Sequence, residues 1–342
     1  MRRLRTALLA LFAATAPVWA DVTDVRILSF DDLNGWADDN HADALEAFRS
    51  TCPDMTQPDW HTLCALALNP TNPKTFFELF FRPVLISDGD DPLFTGYFEP
   101  ELNGSAVPTA RYKYPVYAPP TDLPRPWPSR RMIESTDILH NRGLEIAWVD
   151  DPTALFFAQI EGSTRINMTD GSTIRLGYAA ANGHDYKSIG LELIERGVLQ
   201  PHQASAQAIS NWVRSNPNDG RELLMHNPSY VFFRKIDRIN GADGPLGAMN
   251  WPLTPLRSSA VDPEYVPLGA PVWVEKNGSL HLRRLMVAQD TGSAIKGAQR
   301  ADIFVGTGDV AGQVAGQLKD SGRMVVLTPI QRAYAMLEEL DE

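Results

Sequence analysis

Apolar positions along the chain change period three times. Over residues 21–92 they repeat at helical spacing. Ala42, Leu45, Phe48 and Cys52 fall on one face, and Trp60, Leu63, Cys64, Ala67 and Leu68 on a second. Thr56 and Asp59 are candidate N-caps for the second helix, and Pro70 and Pro73 end it. Phe76, Phe77, Leu79, Phe80 and Phe81 follow as a dense apolar cluster, read as core. From Phe94 the chain turns to prolines and short extended runs, and residues 112–120, with three prolines, cannot be helical. Residues 146–149 and 154–160 read as strands. Residues 165–168 and 172–176 flank Asp170-Gly171, a strong hairpin signal.

Helices return at Asp185. One carries Tyr186, Ile189, Leu193 and Val198; a second, 203–213, carries Ala208, Ile209 and Trp212; a third, capped by Asp219, carries Leu223 and Leu224. Residues 230–233, 271–275, 280–288, 303–305 and 324–327 then read as strands, with 310–318 the one clear helix among them.

Two of these late strands are bordered by carboxylates. The run 285–288 delivers Asp290 into a turn of Thr291-Gly292-Ser293, and Asp302 stands in front of Ile303, Phe304 and Val305. Small residues between them let a ligand approach the backbone. The pattern describes a carboxylate site at the rim of a β-structure.

Composition narrows what that site can serve. With 342 residues the chain is long enough for two domains, and 44% hydrophobic against 21% charged residues is globular. A formal charge of -11 repels phosphates and argues against nucleic acid as a partner. Residues 1–20 have the three parts of a secretory signal peptide: Arg2, Arg3 and Arg5, an apolar stretch from Ala7, and Val18-Trp19-Ala20 before Asp21. Its removal would take three arginines and lower the charge from -11 to -14. No cysteine lies near the cleavage point, so the expected product is a soluble, exported, periplasmic protein without a lipid anchor. Cys52 and Cys64 are the two cysteines, and an oxidising compartment would permit a bridge between them. The seven histidines form no ligand-spaced pair, so no metal is expected.

The segment Val287-Ala288-Gln289-Asp290-Thr291-Gly292-Ser293-Ala294-Ile295-Lys296-Gly297, with Asp302 beyond it and Ser259-Ala260-Val261-Asp262-Pro263 upstream, resembles the "three-aspartate" (3D) double-psi β-barrel domain. Its three aspartates are Asp262, Asp290 and Asp302; Ser293 replaces a usual glycine. Five further blocks appear in order: Gly96-Tyr97-Phe98-Glu99-Pro100, Tyr114-Pro115-Val116-Tyr117, Gln159-Ile160-Glu161-Gly162-Ser163, Ala181-Asn182-Gly183-His184-Asp185 and Asn227-Pro228-Ser229-Tyr230. Together the six resemble the membrane-bound lytic murein transglycosylase A (MltA) family. The resemblance implies a mainly β fold with α: a double-psi β-barrel domain, a second β-barrel domain inserted into it, and a substrate groove between them. The expected division is 1–20 signal peptide, 21–93 helical part of the first barrel, 94–237 insert and 238–342 C-terminal 3D domain.

The same resemblance implies cleavage of peptidoglycan glycan strands by a single acid/base, without a cofactor. Asp302 matches the catalytic aspartate, and Asp290 a second aspartate that tunes it or lines the groove. Tyr97, Gln159 and Glu161 are candidate groove residues; Lys296 could hold a stem-peptide carboxylate or be a solvated loop charge. Asp262, Gly292 and Gly297 are read as structural. A monomer is expected; an association with the outer membrane and partners in a cell-wall complex stay open, because the lipobox cysteine of better-known members is missing. Two other readings stand beside this one: an inverting glycoside hydrolase using Asp302 and Asp290 on the same barrel, and a non-catalytic glycan-binding module.

Overall fold

The computed structural model describes residues 24–55, 57–70, 72–237 and 243–340. The signal-peptide reading and the Thr56 cap lie outside the described residues. Among the described residues fifteen strands build two sheets. In chain order they are β1 (Asp24–Ile27), β2 (Phe81–Ser87), β3 (Leu93–Glu99), β4 (Glu101–Ser105), β5 (Tyr114–Tyr117), β6 (Glu145–Val149), β7 (Ser163–Met168), β8 (Thr173–Ala181), β9 (Val231–Lys235), β10 (Ser258–Val261), β11 (Pro271–Lys276), β12 (Leu282–Asp290), β13 (Arg300–Thr307), β14 (Lys319–Asp320) and β15 (Gly322–Pro329). The α-helices among the described residues are α1 (His41–Thr51), α2 (Pro58–Ala67), α3 (Pro73–Phe80), α4 (Arg130–Ser135), α5 (Pro152–Glu161), α6 (Ile189–Glu195), α7 (Ala206–Ser215), α8 (Pro217–Leu224), α9 (Gly308–Ala315) and α10 (Ile330–Leu340).

The large sheet has the order β1-β2-β15-β11-β12-β10-β13-β3-β14, and the smaller one β5-β6-β4-β7-β8-β9. The chain leaves the large sheet after β3, completes the whole six-stranded sheet, and returns at β10. Strands near both ends of the chain therefore meet in one sheet. β3 lies parallel to β13 although some two hundred residues separate them, with Asp302 opposite Thr95. This mixed, sheet-rich architecture with two sheets agrees with the expected fold class.

A single apolar core spans α1, α2, α3 and the large sheet, from Phe48 and Phe77 to Trp273 and Val325. The insert has separate cores; the one under its sheet gathers Leu102, Val149, Leu155, Ile166 and Phe233. The disulfide Cys52–Cys64 ties the end of α1 to α2, with Cα atoms 5.4 Å apart. The Cys52→Ser/Cys64→Ser variant is expected to lose about 3 kcal/mol of stability, the chain-entropy value for a loop this short. Urea unfolding with and without the bridge measures it.

Several sequence expectations need correction. Residues 154–160 are not a strand but most of α5. Asp151 caps that helix by accepting from Thr153 N–H (2.8 Å) and Ala154 N–H (3.2 Å), Pro152 occupies the first turn, and Gly162 ends it at φ 75°. A run that is apolar at every position but one has no clear period, so the caps decide. The N-terminal region also supplies β1 and β2, and α10 is a second C-terminal helix that the sequence reading missed. The caps of α2 and α8 are Gln57 and Asn216, since Pro58 and Pro217 begin those helices and place Asp59 and Asp219 inside the first turn. Ala42, Leu68 and Leu79 face solvent; Ala44 and Ala47 take the core positions on α1.

Candidate active site

Four neighbouring strands carry the chemistry. Ala260 on β10 stands opposite both Asp290 on β12 and Asp302 on β13, and Asp302 stands opposite Thr95 on β3. Laterally paired residues share a face of a sheet, so Asp290, Asp302 and Thr95 line one strip across it. Asp290 and Asp302 are two strand steps apart, roughly 10 Å between their backbones.

Asp302 is half-buried. The Thr95 hydroxyl donates to its Oδ1 at 2.6 Å. That hydroxyl itself accepts from Arg300 Nη2 at 2.8 Å, which fixes its proton toward the carboxyl group. Among the described residues Oδ2 has no hydrogen-bond partner. Burial raises the Asp302 pKa above the ordinary carboxylate value, against the Thr95 hydrogen bond and the Arg300 charge, which lower it. Arg300 is itself pulled down by burial.

Asp290 is held differently. Tyr97 Oη donates to Oδ2 at 2.9 Å, and the N–H groups of Ala248 and Thr291 both donate to Oδ1 at 2.9 Å. Burial nonetheless pushes its pKa up to about 6. The Tyr97 ring packs against Phe304, centroids 5.4 Å apart. Burial and the Asp290 charge hold the Tyr97 phenol well above its usual value, so it stays a donor.

The insert contributes Glu161, the last residue of α5. The Phe98 N–H donates to its Oε2 at 3.4 Å. Burial, and then the Asp302 charge, push Glu161 up to about 8. Three carboxyl groups, two from the large sheet and one from the end of α5, thus share one poorly solvated region around Tyr97. Tyr178, an exposed ring, borders the open backbone of Gly162 next to Glu161.

Not every expected residue joins them. Gln159 is buried away from the carboxylates, where its Oε1 accepts from Arg130 Nη2 at 2.6 Å. Read as a strand, positions 159 and 161 share a face; on a helix they are about 200° apart. Lys296, 59% exposed, pairs with Asp262 at 3.3 Å and Glu264 at 3.9 Å. Asp262, 1% exposed, also accepts from the N–H groups of Gly297 (3.0 Å) and Glu264 (3.2 Å), and so closes the loop between β12 and β13. Gly297 sits at φ 112°, where a Cβ would also stand 3.0 Å from Asp88 Oδ2. A Cβ on Gly292 would meet Ile295 Cγ1 at 3.0 Å.

Thr95, Arg300 and Ala248 went unnoticed in the sequence. Arg300 had a signal, since it precedes Asp302 by two positions and shares its face on a strand. Thr95 reaches the site through long-range strand pairing, and Ala248 through a loop hydrogen bond to Asp290, neither of which a local pattern encodes. A cavity of about 1100 Å³ lies in the insert between Tyr114, Asp150, Arg214 and Tyr230, and none of these three carboxyl groups lines it.

The profile of the MltA specific insert domain matches residues 93–234, and that of the 3D domain matches residues 257–328. The membrane-bound lytic murein transglycosylase A of Vibrio cholerae is 33% identical over 301 residues, 83% of this chain and 80% of that protein. Among solved structures, a membrane-bound lytic murein transglycosylase from Agrobacterium tumefaciens superposes with a TM-score of 0.81 at 31% identity, covering 91% of this chain and 99% of that one. E. coli MltA with bound chitohexaose superposes with a TM-score of 0.71 at 27% identity, covering 90% and 93%. With both domain profiles matched in order and a relative of this identity covered over most of its length, the chain belongs to the membrane-bound lytic murein transglycosylase A family.

Proposed function

We propose that Asp302 is the one acid and base of a peptidoglycan lytic transglycosylase, acting on the β-1,4 bond between N-acetylmuramic acid and N-acetylglucosamine. The activity follows the family, and a relative that binds chitohexaose supports a glycan strand as the ligand. The observation that carries the assignment is the Asp302 carboxyl group itself: one oxygen fixed by Thr95, the other without a partner among the described residues, in surroundings that favour the protonated form.

Protonated Asp302 donates to the leaving O4 as the C1–O4 bond breaks. As a carboxylate it then takes the proton of the muramic acid C6 hydroxyl while O6 bonds to C1. The products are a free O4 hydroxyl and a 1,6-anhydro ring, and the acid is restored. A group that must both give and take a proton works best with a pKa near the working pH. Asp290 has both oxygens engaged, by Tyr97 and by two backbone N–H groups, which suits a fixed charge beside Asp302 better than a base activating water. This favours the transglycosylase over the inverting hydrolase. Muropeptide mass analysis of digested sacculi tests it: each new end is expected to weigh one water less than a reducing end, and reducing ends would overturn it.

Glu161 gives a second test. A carboxyl group whose pKa is higher folded than unfolded adds stability while protonated and loses it as the pH climbs from about 4.5 through about 8. Glu161→Gln removes that loss. Its Tm is expected to match the wild type at pH 4 and exceed it by several degrees, on the order of 1–2 kcal/mol, at pH 9. Equal melting curves at both pH values would show that Glu161 is solvated. The exported, periplasmic location rests on the pattern of residues 1–20 and on relatives named membrane-bound; among the described residues no helix is long and apolar enough to cross a membrane.

A further inference from the structure

Asp290 has three donors of unequal security. The Thr291 N–H is the next residue along, and Tyr97 is fixed within β3. The Ala248 N–H belongs to the segment between the two sheets, which among the described residues makes one isolated bridge, between Leu246 and Pro252. That segment makes a tight turn: the Gly247 N–H donates to Trp251 O at 3.0 Å, and the Asn250 N–H to Gly247 O at 2.8 Å. Asn250 takes φ 60°, a conformation Asn tolerates better than most residues. Gly247 lies so close to β12 that a Cβ would come 2.5 Å from Gln289 O, so no other residue fits there without displacing the turn.

Two side chains fasten this turn from opposite sides. Trp251 Nε1 donates to Asp54 Oδ2 at 2.6 Å, and Asp54 sits inside the loop closed by the Cys52–Cys64 bridge. Arg234 Nη2, at the end of β9 in the insert, donates to Asn250 Oδ1 at 3.1 Å. One five-residue turn therefore touches the helical layer, the insert and β12. None of its anchors is a side chain of the carboxyl cluster.

We propose that Trp251 and Asp54 are positioning residues for glycan cleavage: their hydrogen bond sets the turn 247–251 so that the Ala248 N–H stays on Asp290. This rests on the reading of Asp290 as the charged companion of Asp302. Without the anchor the turn can drift, Asp290 loses one donor, and its carboxylate becomes a poorer charge beside the acid. Substrate binding changes little, because neither Trp251 Nε1 nor Asp54 belongs to the carboxyl cluster.

The test compares Trp251→Phe, Asp54→Ala and Asp54→Asn in the full protein, with Asp290→Asn alongside. Trp251→Phe keeps a ring and loses the N–H; Asp54→Asn keeps an acceptor. Trp251→Phe and Asp54→Ala are expected to lower kcat about tenfold, the scale of one hydrogen bond to a charged group. KM should stay within about twofold, as for an interaction realised in the transition state. The acid limb of the kcat profile should move up by about half a pH unit, since a donor to the charged form is lost. Asp54→Asn should recover most of the turnover. Amide hydrogen exchange at Ala248 should quicken in the first two variants and not in the third. Unchanged exchange, or quicker exchange with kcat and its pH profile unmoved, overturns the proposal. If Trp251→Phe does not fold, Asp54→Ala against Asp54→Asn decides it alone. Full turnover by Asp290→Asn would instead sink the role of Asp290, while the exchange data still report whether the anchor holds the turn.

Discussion

Asp302→Asn is expected to lower turnover on peptidoglycan by about 10³–10⁴-fold, toward the upper end of what one general acid or base contributes, because in the proposed mechanism one group serves in both steps. Stability should not fall with it. Asn keeps an acceptor for the Thr95 hydroxyl, and a neutral amide removes a carboxyl group that burial already disfavours in its charged form. The informative result is the combination: lost turnover, glycan binding retained, and a Tm equal to or above that of the wild type. Loss of activity together with a lowered Tm would make Asp302 a packing residue. Retained activity would move the chemistry elsewhere.

The second large effect concerns the joint between the sheets. Glu99, 1% exposed, ends β3 just before the chain enters the insert. Its Oε2 accepts from Arg165 Nε on β7 at 2.7 Å and from the Thr307 hydroxyl on β13 at 3.0 Å, and its Oε1 from Arg175 Nη2 on β8 at 3.1 Å. Arg165 also donates to Asp243 O at 2.7 Å, on the return path from the insert. One carboxylate thus pairs with two largely buried guanidinium groups and joins both sheets. Taking the carboxylate out of a buried, hydrogen-bonded ion cluster is strongly destabilising, and Glu99→Ala is expected to cost about 3–5 kcal/mol. Urea unfolding measures it. A cost below about 1 kcal/mol would mean that water reaches the two arginines and that the joint is held by other contacts.

The contrast between these two sites explains what could be read from the chain. Asp290 and Asp302 were legible because each stands at the border of an apolar run with small residues between them. Asp170-Gly171 was legible because its turn chemistry is local, and Gly171 does take a positive φ of 84° between β7 and β8. The inner partners of the site were not, since Thr95 meets Asp302 by a parallel pairing whose register depends on the whole insert leaving and returning between them. Glu99 looked like one letter of a motif; its arginine partners lie 66 and 76 positions away and Thr307 lies 208 away. Gln159 failed for a different reason. Residues 154–160 carry no period of their own, and choosing a strand put Gln159 beside Glu161 when Asp151 and Pro152 start a helix that separates them.

The central claim is that a hydroxyl of the substrate, and not water, closes on C1 under the control of Asp302. Digestion of sacculi in H₂¹⁸O, followed by mass spectrometry of the newly formed glycan ends, addresses it most directly. New muramic acid ends free of ¹⁸O, formed by the wild type and absent with Asp302→Asn, are the predicted result. Ends carrying ¹⁸O at C1 would contradict it.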